Sequence, residues 1–138
     1  MIPVALAVSL RAAGLVWRPV SGDRFVLPDR DLDDVFVLSD MTVSVHRMPE
    51  RTIIGFNGTT EWALDDVEQD EAVWLPSEDQ LRERLGPRFR RLQRVPDGYA
   101  VVTAAPDGEA RFEATEPAVA YALALLALLR QSGSPGPP

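Results

Sequence analysis

The 138-residue chain is acidic, with 21 aspartates and glutamates against 14 basic residues, a net charge of −7 and no cysteine. That length suits one domain with a core of its own, and the lack of cysteine excludes disulfides and thiolate chemistry. All 14 basic residues are arginines, which excludes Schiff-base catalysis and the lysine of a phosphate-binding loop. The negative charge opposes a phosphate backbone, so nucleic acid is not an expected partner, and no pattern in the chain predicts a cofactor.

The first half of the chain predicts one helix followed by short strands. Residues 4–13 are mostly apolar and precede Gly14, which favours a helix that stops at this glycine. No basic stretch precedes the apolar residues, so the start is not expected to be a secretory signal. Runs rich in β-branched and aromatic residues then predict strands, separated by Gly, Pro and Asp. These strands are expected within residues 15–20, 24–27, 35–40, 41–48 and 51–56.

A second helix and a three-stranded meander are predicted next. Ser77 with Gln80 three residues later forms a capping-box pattern, and the helix that it opens should end at Gly86. Two Pro-Asp-Gly sequences, at 96–98 and 106–108, divide the following stretch into three strands of about five or six residues. Strands joined by such tight turns are expected to pair antiparallel.

The chain closes with an apolar helix. Thr115 is its expected cap, the helix should run to about Arg130, and the Ser-, Gly- and Pro-rich tail 132–138 should be disordered. Residues 118–129 are apolar all round the helix, but these 12 residues are shorter than the roughly 20 that cross a bilayer, so no membrane span is expected. A helix that is apolar all round has to be buried on several sides, either by a second copy, as a homodimer through this helix, or by the chain's own sheet and first helix.

Together these elements predict an α+β fold in one domain, residues 1–131. We expect antiparallel strands in one or two sheets, the N-terminal and C-terminal helices packed on one face, and a short middle helix. Nothing in the composition requires an oxidising compartment, and we expect a cytoplasmic protein.

Asn57 and Gly58 form the strongest hairpin signal, because a two-residue type I′ turn needs positive φ at both central positions. Such a turn would place Ile53 opposite Trp62 in the next strand. The turn reading is preferred over a second one, in which polar residues gather as a recognition site at the loop tip. The loop-tip residues are Asn57, Thr59 and Thr60.

The densest charge lies in residues 61–71, named the acidic segment below, where six of eleven residues are carboxylates. Its candidate partner-binding residues are Glu61, Trp62, Asp65, Asp66, Glu68, Asp70 and Glu71. One hypothesis is an acidic surface for a basic protein partner. The others are a solvated segment without a function, whose ends Trp62 and Trp74 anchor in the core, and a set of catalytic carboxylates.

Two further patterns are weaker indications of a functional site. Asp29, Asp31, Asp33 and Asp40 follow the ligand spacing of a calcium loop, but Asp34 stands where that loop needs glycine. An acidic connection between strands is the preferred reading. The single histidine, His46, is expected on the polar face of a strand, where it cannot form a triad with Ser44 two residues away.

The stretches from Pro28 to Val43 and from Gly55 to Glu83, with the closing apolar helix, resemble a family of small uncharacterised proteins from GC-rich actinobacteria. Some members carry a pilus-assembly label, but this chain has neither a nucleotide-binding glycine loop nor a membrane segment to match it. The resemblance implies no functional residue. The leading functional hypothesis is therefore a non-enzymatic interaction or regulatory module using the acidic segment. The alternative is a small carboxylate-dependent enzyme assisted by a divalent metal.

Overall fold

The computed structural model describes residues 1–28, 32–38, 43–47, 52–56, 66–68 and 72–132, and of residues 32–34, 43–47, 52–56 and 66–68 the backbone alone. Contacts within the chain group it into two compact units, one of Met1–Val16 with Pro76–Pro138 and one of Trp17–Leu75. The single domain expected over residues 1–131 stays a prediction.

The architecture is α+β, as expected. Its helices are α1 (Val4–Ala12), α2 (Glu78–Leu85) and α3 (Pro117–Ser132). Its strands are β1 (Arg24–Leu27), β2 (Leu32–Val37), β3 (Val43–Arg47), β4 (Thr52–Phe56), β5 (Asp66–Glu68), β6 (Val73–Leu75), β7 (Phe89–Val95), β8 (Gly98–Ala105) and β9 (Gly108–Ala114). In the described part they form three antiparallel sheets, β2-β1-β6, β3-β4-β5 and β7-β8-β9, where one or two were expected. The number is higher because β6 returns to β1 and leaves β3, β4 and β5 as a sheet of their own.

Strands β7, β8 and β9 form the meander that the two Pro-Asp-Gly sequences predict. Val95 pairs with Gly98 and Ala105 with Gly108, so each Pro-Asp pair is a two-residue turn. The strands are 7, 8 and 7 residues long, longer than expected. Both edge strands of this sheet carry charged residues, Arg90, Arg91 and Arg94 in β7 and the alternating Glu109, Arg111 and Glu113 in β9, and such edges resist pairing with another chain.

Helix α3 lies on β8 and β9 and is contacted by α1 and α2. Six of its residues are buried, among them Tyr121, whose ring lies 5.6 Å from that of Phe89. No residue from 117 to 129 is exposed. Cover within this unit therefore accounts for the all-round apolar character of the helix, and the homodimer expected through α3 stays a prediction.

The ends of α3 differ from the expectation. Its first helical bond runs from the Ala120 N–H to the Glu116 carbonyl at 3.2 Å, so Glu116 precedes the helix and Thr115 is not its cap. The reason is Pro117, which fits the first helical position because its fixed φ is helical and its missing N–H would have no partner there. The helix continues to Ser132, and residues 133–138 of the predicted tail lie outside the described residues.

Helix α2 begins with the predicted capping box. The Ser77 N–H donates to Oε1 of Gln80 at 2.9 Å, and the Gln80 N–H donates to Oγ of Ser77. The helix presents Leu81 and Leu85 to the core and ends at Gly86, which has φ of +58°. Both the start and the stop are thus fixed by local sequence.

Helix α1 ends as predicted, with Ala13 after its last turn and Gly14 at φ of +110°. The Leu15 N–H then returns to the Leu10 carbonyl at 3.0 Å and closes the helix. Ala7 and Leu10 are buried, whereas Val4 and Val8, one turn apart, are exposed.

In the second unit, β1 lies between β2 and β6 and contributes buried side chains to the core of that unit. Phe25 is fully buried, and its ring centroid lies 5.5 Å from those of Trp17 and Phe36. β6 is buried along its length and includes Trp74, which confirms that this tryptophan lies in the core. Trp62, its expected counterpart, lies outside the described residues.

The strand predicted within residues 15–20 is wrong, because this stretch has no strand structure. Pro19 lacks the N–H that a strand would donate, and the stretch is held instead by the buried side chain of Asp23. Its Oδ2 accepts hydrogen bonds from the Trp17 indole at 2.9 Å and from the Val20 N–H at 3.0 Å. This part of the chain is therefore a loop that is held by hydrogen bonds to the carboxylate of Asp23.

The pairing expected for Ile53 is also wrong. Its Cα partners are His46 in β3 and Glu68 in β5, so Trp62 cannot be its neighbour in the sheet. This register sets Val67 opposite Ile54 and so aligns the apolar positions of the two strands, which a two-residue turn at Asn57 would not do. The Asn-Gly sequence itself lies outside the described residues.

Candidate functional site

The structure describes three of the candidate site residues. Asp66 and Glu68 lie in β5, and Asp33 lies in β2. The others lie outside the described residues: Glu61, Trp62, Asp65, Asp70 and Glu71 of the acidic segment, Asn57, Thr59 and Thr60 of the loop tip, and Asp29, Asp31 and Asp40 of the calcium pattern. The candidate site that can be built from residues upward is therefore the β5 part of the acidic segment.

The backbone fixes the positions of Asp66 and Glu68. β5 pairs antiparallel with β4, with Asp66 opposite Gly55 and Glu68 opposite Ile53. Among the described strands, β4 is the one neighbour of β5, so Asp66–Glu68, the described part of the acidic segment, lies at an edge of that sheet. An edge strand is one of the places where a sheet can receive a partner.

Two polar positions of β3 share a face with these acids. Ser44 pairs with Gly55, and His46 pairs with Ile53, so each acid position of β5 lies in one row with a polar position of β3. Positions in a row share one face of the sheet. The ends of each row are two strand spacings apart, roughly 10 Å between Cα positions. The rows therefore form a polar face, named below the acidic sheet face, which comprises Ser44, His46, Ile53, Gly55, Asp66 and Glu68.

The opposite face of the same sheet carries the apolar positions other than Ile53, together with Arg47 and Thr52. Because side chains alternate along a strand, the positions between those of the acidic sheet face belong to the other side. They include Val43, Val45, Ile54, Phe56 and Val67. This division is typical of a sheet with one face toward a core and one toward water. The backbone register places His46 on the same face as Ser44, Asp66 and Glu68, and a polar surrounding for its side chain stays a prediction.

In the described ranges, no group of three or more His, Cys, Asp or Glu residues is placed to hold a metal ion. Within the same ranges, no helix has the length and apolar character of a membrane-crossing segment.

The basic residues between Arg82 and Arg94 are partly engaged within their own unit. Arg91 forms a bidentate ion pair with Glu109, at 3.1 and 3.2 Å. Arg84 donates to the Val16 carbonyl, and the Arg94 guanidinium lies 5.9 Å from the centre of the Tyr99 ring. These contacts engage three of the six arginines of the stretch.

A small cavity lies between the end of α2, α3 and the sheet β7-β8-β9. Its volume is about 30 Å³ and its lining includes Ala104, Ala110, Ala124 and Ala127, with the buried Thr103 as a polar group. A space of this size holds about one water molecule and is far smaller than a ligand pocket.

Sequence reasoning missed two polar arrangements that the structure shows. One is the buried Asp23 with Trp17. The other is Tyr121, where burial raises the phenol pKa while the hydrogen bond and charge of Arg82 oppose that rise. A charged residue beside a strongly apolar run is a weak signal for the buried Asp23. Nothing in the local pattern points to the arrangement around Tyr121.

No family model, no curated protein and no solved structure matches this chain. Any functional conclusion therefore has to come from its own residues.

Proposed function

We propose that this chain is a non-enzymatic interaction module that binds a basic protein partner through the acidic segment. One observation carries the proposal: among the described strands β5 is an edge strand, and Asp66 and Glu68 take alternate positions of it, on the face opposite the row of Val45, Ile54 and Val67. Alternate positions project to the same side, so the strand supports a row of negative charges rather than charges divided between core and solvent.

The charge density of the segment suits long-range attraction. Six carboxylates in residues 61–71 contrast with no basic residue in the same stretch. A surface of one sign steers an oppositely charged partner and raises the association rate, and salt weakens it over a Debye length of about 8–10 Å. A Lys- or Arg-rich protein surface is the complementary partner. The cytoplasmic location expected from the sequence belongs to this proposal.

The test compares two variants of equal charge. In the first, Asp65→Asn, Asp66→Asn, Glu68→Gln and Asp70→Asn neutralise the acidic segment; in the second, Glu83→Gln, Asp97→Asn, Asp107→Asn and Glu116→Gln neutralise four acids of the other unit, all of which are exposed. Each set changes the net charge from −7 to −3 by removing four negative charges. Circular dichroism and urea unfolding verify that both variants fold.

Each protein is immobilised, and partners are captured from an extract of the source cells at about 50 mM and about 300 mM salt. Captured partners are then purified and titrated against each variant. We expect a partner whose binding weakens with salt and falls at least about tenfold, or about 1.4 kcal/mol, in the first variant alone. Equal loss in both variants would reduce the effect to net charge, and equal binding by all three proteins would refute a role for the acidic segment.

A further inference from the structure

We draw no further inference here: the strongest candidate, the apolar outer side of α1 with Met1, Val4 and Val8 exposed, is an unpartnered face, and nothing in the structure shows what covers it.

Discussion

Trp17 donates a 2.9 Å hydrogen bond from its indole Nε1 to Oδ2 of Asp23, and both residues are buried, at 7% and 3% exposure. The Asp23 backbone is bonded as well, with its N–H to the Val20 carbonyl and its carbonyl to the Leu38 N–H. One residue thus joins the loop that follows α1 to the residue after β2. A buried carboxylate persists only when donors satisfy it, and here an indole and a backbone N–H do so.

The first prediction concerns this carboxylate. Asp23→Ala leaves the Trp17 indole and the Val20 N–H without their acceptor, and a buried donor without a partner costs about 1–3 kcal/mol. We expect the free energy of unfolding to fall by about 3 kcal/mol, measured as a lower urea midpoint at unchanged slope. Asp23→Asn keeps one acceptor oxygen and should lose less.

A matched change of the donor residue separates the contribution of this hydrogen bond to stability from the contribution of packing. Trp17→Phe removes the indole N–H but keeps an aromatic ring near Phe25, so we expect a smaller loss of about 1 kcal/mol. In the double variant the two losses should not add, because the pair shares one interaction. Full additivity would show that the hydrogen bond does not contribute to stability.

The loop around Asp23 shows where sequence patterns stop being informative. Residues 15–20 have the apolar and aromatic composition of a strand, but Asp23, three residues beyond, supplies the acceptor that holds them as a loop. Composition indicates only the strand propensity of a stretch. The hydrogen bonds of the buried Asp23 carboxylate depend on the tertiary structure, and here they override that propensity. The start of α2 and the meander were predictable because a capping box and Pro-Asp-Gly turns are local.

The second prediction concerns the cap of α2. Ser77→Ala removes the hydroxyl that accepts from the Gln80 N–H and should lower the free energy of unfolding by about 1 kcal/mol. Ser77→Thr retains a capping hydroxyl and serves as the control, with a loss of at most a few tenths of a kcal/mol expected. Urea unfolding measures both, and equal losses would mean that the hydroxyl does not cap the helix.

The third prediction is the pH dependence of the same turn. The Ser77 hydroxyl donates to Asp79 at 2.6 Å, and this bond, followed by the backbone N–H of Asp79, lowers the pKa of the carboxyl below its usual 3.8. Because the folded pKa is the lower one, the stabilisation is present above pH 3.8 and is lost as pH falls through the folded pKa. Carboxyl carbon NMR should give a pKa below 3.8 for Asp79 in the wild type.

Ser77→Ala is the control for that titration as well. Without the hydroxyl donor the Asp79 pKa should rise toward 3.8, since the largest cause of the shift is gone. An Asp79 pKa that is the same in both proteins would assign the shift to the helix N-terminus instead.

The acidic sheet face illustrates the other limit of sequence reasoning. Alternation in β3 predicted the polar face of His46, but the pairing of Ile53 with Glu68 could not be read from the chain. Asn57-Gly58 satisfied the local rule for a tight turn, and the competing register depends on a strand beyond it. Cross-strand alignment of apolar positions such as Ile54 and Val67 decided the pairing, and that is a non-local interaction.

The fourth prediction compares two glycines that each follow a Pro-Asp turn. A Cβ at Gly98 would meet the Ala114 carbonyl oxygen and lie 2.8 Å from Cα of Thr115, and neither backbone atom can rotate away. At Gly108 nothing lies within 4 Å, and the backbone at φ of +132° is the one obstacle. We expect Gly98→Ala to cost about 3 kcal/mol and Gly108→Ala about 1 kcal/mol in urea unfolding. Equal costs would mean that β9 moves to accept the methyl group.

The fifth prediction places Tyr121 at the alkaline end of the stability curve. Burial raises the pKa of its phenol above the usual 10.0, against the opposing hydrogen bond and charge of Arg82. Because the folded pKa is the higher one, this contribution to stability is fully present below pH 10.0 and is lost as pH rises through the folded pKa. The free energy of unfolding should therefore fall more in the wild type than in Tyr121→Phe between about pH 9 and about pH 11.

The ionisation of Tyr121 can also be followed directly, as the difference in absorbance at the phenolate wavelength between the wild type and Tyr121→Phe. Arg82→Met should move that ionisation to still higher pH because it removes the group that lowers the pKa. A Tyr121 phenol that ionises at or below pH 10.0 in the folded wild type would contradict the burial of this side chain between α3 and β7.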